Sequence, residues 1–219
     1  MNILNIILLI LILTACSQKQ MDDKTVVVNQ IVDTVINHDT VALYDQNNWQ
    51  EGFGLIHNPE VDSIWFKPVK FYIDNKECSP TAIDFYFGEF KPGDNRATEA
   101  LLDLATTANQ SLRPFYRWCL NKTIFIQDGA LAEHTGIPAR RYAEKYPKEF
   151  FQYMDVDTSL QKYNDWIAAI GYSGFYENED QQSSVTVRQS LVSSMNQNCK
   201  GCSVNLQNRI RKFSFDCFP

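Results

Sequence analysis

Cys199-Lys200-Gly201-Cys202 is the short motif in this chain with the most chemical promise. Two cysteines at this spacing can run thiol–disulfide exchange, hold a metal or simply clip a turn. A thioredoxin-type site needs strand, motif, helix and then more sheet, and too little chain follows Cys202 for that. Haem attachment needs His where Ser203 stands, and a zinc ribbon needs a second such pair. A structural disulfide is the favoured reading, with redox work as its rival. Nucleophilic chemistry has little else to draw on. His38, His57 and His134 lie in no metalloprotease motif, and Gly171-Tyr172-Ser173-Gly174 has the wrong spacing for a nucleophile elbow. A Cys119–His134 pair would need the fold to bring the two together, and a bridged Cys with a surface His is the plainer reading. Asp155, Asp157 and Ser159 open like a calcium loop, but Leu160 stands where Gly is needed and Trp166 where Glu is needed, so Thr158 as a helix cap explains the run better. Carboxylate pairs such as Asp128 with Glu133, or Asp84 with Glu89, are what 26 acidic residues give by chance. No catalytic residue, metal or cofactor is expected.

Binding residues offer more. Ala139 to Tyr146 is basic, but Arg140–Glu144 and Glu144–Lys148 are i,i+4 ion pairs of a solvated face. Tyr142, Tyr146 and Phe150, four apart, make a core stripe. Trp118 and Trp166 fall on predicted helices and belong to the core. Trp49 sits in a Gly-containing loop and is the better candidate for an exposed contact, including a sugar.

Residues 3–13 are apolar except for Asn5, too short a run for a bilayer span of about 20 residues but the length of a signal-peptide core. Leu13-Thr14-Ala15-Cys16 follows and resembles the lipobox of bacterial lipoproteins. That resemblance covers only the first 16 residues. It implies that residues 1–15 are a signal peptide and that Cys16 is lipidated and becomes the N-terminus, with residues 16–24 as lipidated Cys and polar tether. Extended, the polar stretch 17–24 reaches roughly 25 Å. Ser17, not Asp, after the cysteine implies the outer membrane of a Gram-negative envelope. Asp33-Thr34-Val35, Asp39-Thr40-Val41 and Asp62-Ser63-Ile64 resemble the D-(S/T)-aliphatic O-glycosylation motif of some Gram-negative anaerobes, which makes Thr34, Thr40 and Ser63 acceptor candidates.

An exported chain meets an oxidising compartment, so Cys78, Cys119, Cys199, Cys202 and Cys217 are all disulfide candidates. Val187, Leu191, Val192 and Met195 stand at helical spacing, and so do Leu206, Ile210 and Phe213. The segment 199–202 is then the turn of a helical hairpin. A helix of about ten residues carries Cys217 roughly 15 Å from that turn, beyond bridging reach. Cys199–Cys202 is the expected clip, with Cys217 looking to Cys119 or Cys78.

The elements that must position these residues are helical. Apolar periodicity predicts helices over about 25–37 and from Asp39 through Tyr44, then a loop over 47–57. Asn58-Pro59 predicts a helix through about Phe66, and Ser79-Pro80 another over 80–90, where a strand pattern competes. Ala97, Leu101, Leu104, Ala105 and Ala108 form the cleanest amphipathic stripe. Ser111 is predicted to cap a helix with Pro114 in its first turn. Asp128 to Gly136 predicts a short helix, and Pro138 opens a separate one. Pro147 starts another through Met154, and Leu160, Tyr163, Ile167 and Ile170 mark one closing near Gly171 and Gly174. No hairpin signal, repeat or long linker stands out. The expected fold class is all-α, about ten mostly short helices in an irregular orthogonal bundle, as a single helical domain over 25–219.

The 219 residues carry 20 basic and 26 acidic side chains, net −6, with 44% hydrophobic and 13% aromatic residues. That excludes a disordered chain and a generic nucleic-acid binder, which needs a basic surplus. Residues 17–110 hold 7 basic and 15 acidic side chains, residues 111–219 hold 13 and 11. The halves can attract one another, or the bipolar surface can orient a basic partner. The leading expectation is a lipid-anchored envelope protein acting by protein binding, an immunity-type protein being one concrete version. The alternatives are a small envelope enzyme, thiol-based or hydrolytic, and a glycan-binding accessory lipoprotein. The expected partners are the membrane, through the N-terminal lipid, and a protein, with no nucleic acid.

Overall fold

Prolines and side-chain caps set most of the helix starts. The computed structural model describes residues 57–219, which lie within one compact unit. Cys16, Thr34, Thr40, His38 and Trp49, the signal peptide, the tether and the two first expected helices lie outside the described residues. The described chain begins with a minimal antiparallel hairpin, β1 (Ser63–Ile64) and β2 (Lys67–Pro68), followed by α1 (Lys70–Ile73). Then come α2 (Pro80–Phe87), α3 (Arg96–Asp103) with a 3-10 turn Leu104–Thr106, α4 (Arg113–Ile126), α5 (Gly129–Lys145), α6 (Pro147–Asp155), α7 (Gln161–Ser173), α8 (Ser184–Asn198) and α9 (Val204–Cys217). The fold is all-α.

Pro80, Pro114 and Pro147 sit in first turns, where a missing N–H costs nothing. Asn95 accepts from Thr98 N at 3.0 Å and Asp128 from Leu131 N at 3.0 Å. Ser183 and Ser203 do the same for α8 and α9. The 80–90 segment is a helix, closed by Gly88 at φ +77°.

Five local expectations are corrected. Asn58-Pro59 starts only one turn, with Val61 N and Asp62 N donating to Asn58 O. The Asp62 carboxylate then bonds back to Asn58 N and accepts from the buried Tyr86 hydroxyl at 2.5 Å. That closes the turn, and the chain leaves as a strand. The α3 stripe is partly rotated: Leu101 and Ala105 are buried as expected, but Thr98 and Leu102 join them, Ala97 and Ala108 are exposed, and the chain tightens into a 3-10 turn at Leu104. Asn109, not Ser111, satisfies the amides ahead of α4, and Asp157, not Thr158, accepts from Ser159 N and Lys162 N ahead of α7.

The fifth correction concerns the two helices expected around Gly136 and Pro138, which are one continuous α5. The Ser173 hydroxyl explains it. It accepts from Gly136 N at 2.9 Å and donates to Ala132 O at 2.6 Å, so it is inserted into one i→i−4 bond of the helix ladder. The backbone opens where Pro138 needs room. A Cβ on Gly136 would overlap the Ala169 carbonyl and this same hydroxyl, which is why α5 and α7 approach so closely there. Gly171 plays the same part on α7, where a Cβ would meet Cys217 O at 2.7 Å.

Two apolar cores share α4. The larger gathers Leu120 and Ile124 of α4 with Tyr142, Phe150, Trp166, Met195 and Phe213 from α5 to α9. The smaller gathers Phe115, Trp118 and Cys119 of α4 with Tyr72, Phe85 and Tyr86 beneath the hairpin. Trp118 and Trp166 are core residues. Each fully buried aromatic contributes about 2–3 kcal/mol of transfer free energy.

Candidate functional site

The turn 199–202 joins α8 to α9 as a helical hairpin, with Val187, Leu191 and Met195 facing Ile210 and Phe213. Cys199 and Cys202 are disulfide-bonded, Cα atoms 5.4 Å apart, and Gly201 supplies the left-handed residue at φ +72°. The long-range bridge expected from Cys217 is not formed. Cys217 packs in the larger core and Cys78 and Cys119 in the smaller, all three as buried thiols. Burial pushes all three thiols up, most for Cys119 and Cys217, so none is an activated nucleophile. His134 is not brought to Cys119. Its ring bonds to Asp94 at 2.9 Å and lies 3.4 Å from Glu99. Asp128 is spent as a helix cap. Among the described residues no group of His, Cys, Asp or Glu could hold a metal ion, and no helix is long and apolar enough to cross a membrane. Ser63 is exposed on β1.

The face carrying Arg140 is not solvated. Arg140 is fully buried and holds the α7–α8 connection. Its guanidinium bonds Glu144 at 2.9 Å, Gly174 O at 2.9 Å and the Glu179 carboxylate by both terminal nitrogens. Tyr176 stacks on it and donates to Glu144 at 2.7 Å. Burial pushes the Glu179 carboxyl up, but the bonds from Arg140 and Ser190 prevail and hold it below its usual value. Every charge is paired, so this is a structural node.

A second buried arginine is different. Arg117 projects from α4 into the space between the hairpin and α6, and its side chain is 1% exposed. Its Nη1 donates to Tyr142 Oη at 2.9 Å and to Glu149 at 3.3 Å. Glu149 also accepts from Arg113 Nε at 3.0 Å and Tyr142 Oη at 2.8 Å, so one end of the Arg117 fork is firmly held. Its plane is covered by Trp65, 4.3 Å from Cζ to ring centroid, and by Tyr153 at 4.0 Å. Lys162 lies over Tyr153 at 4.2 Å, its ammonium lowered by burial. Nε and Nη2 of Arg117 are buried and have no hydrogen-bond partner.

Trp65 and Phe66 form the two-residue turn of the hairpin, fixed by the pairing of Ile64 with Lys67. Both have left-handed backbones, φ +49° and +65°. Such turns are normally made by Asn and Gly, and each bulky residue there costs on the order of 1 kcal/mol. Trp65 recovers part of that by covering Arg117. Phe66 does not: it is 82% exposed. Sequence reasoning missed this site because Trp-Phe is no turn signal and Asn58-Pro59 reads as a helix start. The isolated aromatic pair between two β-branched or proline-ended pairs was the signal available.

Beyond Tyr153, a cleft of about 360 Å³ opens between α6, α7 and α9, lined by Phe151, Met154, Leu160, Tyr163, Arg209 and Lys212. Leu160, 59% exposed at φ +63°, and Val156, 56% exposed, stand at its rim. Its cations are already engaged, Arg209 bidentately with Asp155 at 2.9 and 2.5 Å and Lys212 with Asp216 at 2.5 Å. Comparison of the chain with protein-family models, with curated proteins and with solved structures finds no match to any of them.

Proposed function

We propose that this chain is a lipid-anchored envelope protein that acts by binding a protein partner, and that the hairpin tip is the part that meets it. The observation that carries the reading is Phe66: a large apolar side chain, almost wholly exposed, held on a left-handed backbone. Folding gains little from that arrangement, since the ring buries little beyond its contact with Trp65 and the backbone costs energy. Strained, exposed aromatics of this kind fit recognition, where rigid rings supply contact area at small entropic cost. The lipobox-like Leu13-Thr14-Ala15-Cys16 supports the envelope address, and the acidic 17–110 half suits a basic partner. An immunity-type role, neutralising a toxin that acts in the envelope, is one concrete form of this reading.

Phe66→Gly tests it. Glycine relieves the left-handed backbone but loses the ring contact with Trp65 at 5.2 Å and adds backbone entropy to the unfolded chain. These offset, so stability should stay within about 1 kcal/mol of the parent while capture of the partner from envelope and secreted fractions is lost. Undiminished capture by a stable Phe66→Gly chain would refute the assignment of the tip.

A further inference from the structure

We infer that the free edge of Arg117 is a receptor for a carboxylate, admitted when the Trp65 side chain at the hairpin tip swings off the guanidinium. Nε–H and Nη2–H lie on the same side of a guanidinium and point in parallel, the geometry that takes both oxygens of a carboxylate at once. In Arg117 that whole edge is unpaired and buried, while Nη1 at the other end is pinned by Tyr142 and Glu149. Arg140 shows what the same chain does when a buried arginine is purely structural: every one of its nitrogens is bonded. Two unmade hydrogen bonds on a buried cation are expensive, and a ligand that makes them recovers that cost. Glu149 is shared among Arg113, Arg117 and Tyr142, and Asp157 faces Lys162, so two carboxylates stand against the three cations Arg113, Arg117 and Lys162. An added anion is electrostatically welcome.

The base of the hairpin is anchored by the Tyr72 hydroxyl on Ile64 O and the Tyr86 hydroxyl on Asp62, so the part free to move is the tip, where the half-buried Trp65 ring lies over Arg117 and edge-on to Tyr153. Nη1 is held by Tyr142 and Glu149 while Tyr153 and Trp65 flank the guanidinium edge-on to one another, which leaves the edge oriented for a flat, bidentate ligand rather than for a tetrahedral one. This inference deepens the binding reading by naming the chemistry a partner must bring to the tip, a chain terminus or an acidic side chain. A free organic acid carries the same group.

The test watches Arg117 itself in the purified full chain labelled with ¹⁵N-arginine, its Nε–H resonance assigned by its loss in Arg117→Lys. Sodium acetate is titrated against sodium chloride at matched ionic strength, then inorganic phosphate, then a short neutral peptide with a free C-terminus and its amidated form. Saturable movement of this resonance with acetate and not with chloride is the expected result. Trp65→Ala should lower the half-saturating acetate concentration about tenfold, because the closed lid no longer taxes binding. A free-terminus peptide that binds more tightly than acetate assigns the site to a chain end, and one that binds no better assigns it to small acids. An unmoved resonance, equal movement with chloride, or a response to phosphate alone overturns the inference. Since the readout is a small ion on the native protein, such a failure leaves the partner reading standing on its own test at Phe66.

Discussion

Gly136 shows how much one side chain can decide. Its missing Cβ lets α7 come close enough for the Ser173 hydroxyl to enter the α5 ladder. Gly136→Ala should therefore lose about 3 kcal/mol, from overpacking plus a displaced hydrogen bond, read as a fall in the urea midpoint at unchanged slope. A loss under about 1 kcal/mol, the ordinary cost or gain of a glycine in an exposed helix, would contradict this account. The residue scale is also where reading the chain alone falls shortest. Arg140 and Glu144 have the spacing of a surface pair, but Glu179 arrives from 39 residues away and takes the arginine into the interior. Asp157 displaces Thr158 as the cap because its carboxylate can reach three donors at once. Nothing local announces the first outcome, whereas the second rests on contacts within five residues of Asp157.

Elements were more legible where local chemistry and packing agree. The 199–202 turn between two helices follows from apolar spacing on either side, and the Cys199–Cys202 clip follows from the turn. The same loop-closure reasoning sets its worth. The bridge closes only a four-residue loop, so it removes little unfolded-state entropy, about 2 kcal/mol. Replacing both Cys199 and Cys202 by Ser should cost that much in a denaturant titration and leave the helices in place. Loss of the fold would mean that the bridge does far more than close a turn. The β1–β2 hairpin was illegible for the opposite reason. Its start is helical chemistry, its turn residues are wrong for a hairpin, and the contacts that hold it come from the helices that follow, Tyr72 of α1 on the Ile64 carbonyl and Tyr86 of α2 on Asp62. Tertiary contacts override propensity at this point, and such overrides gather where a site is built.

At the scale of the whole molecule, the described chain is two cores pinned on α4, the smaller one lying under the hairpin. That smaller core is sensitive to alkali. Burial pushes the phenols of Tyr72 and Tyr116 up to about 12, whereas an unfolded tyrosine titrates near pH 10. The native state thus favours the neutral phenol. This contribution is fully present below about pH 10 and is lost as the pH rises towards 12. The urea midpoint should hold up to about pH 9 and then fall, and the absorbance change of phenol ionisation should show late-titrating tyrosines that Tyr72→Phe and Tyr116→Phe each reduce. A midpoint flat through pH 11 would mean these phenols ionise as freely in the fold as outside it.

The most direct test of the binding reading uses geometry. A photoreactive phenylalanine analogue at position 66, in the full-length chain expressed in its own cells, should crosslink to one protein in stoichiometric yield. The same analogue at Val204, 72% exposed on α9, serves as the control. A single adduct at position 66 that is absent at position 204 is the predicted result. No adduct at 66, or the same smear of adducts from both positions, would contradict the claim that the hairpin tip exists to meet a partner.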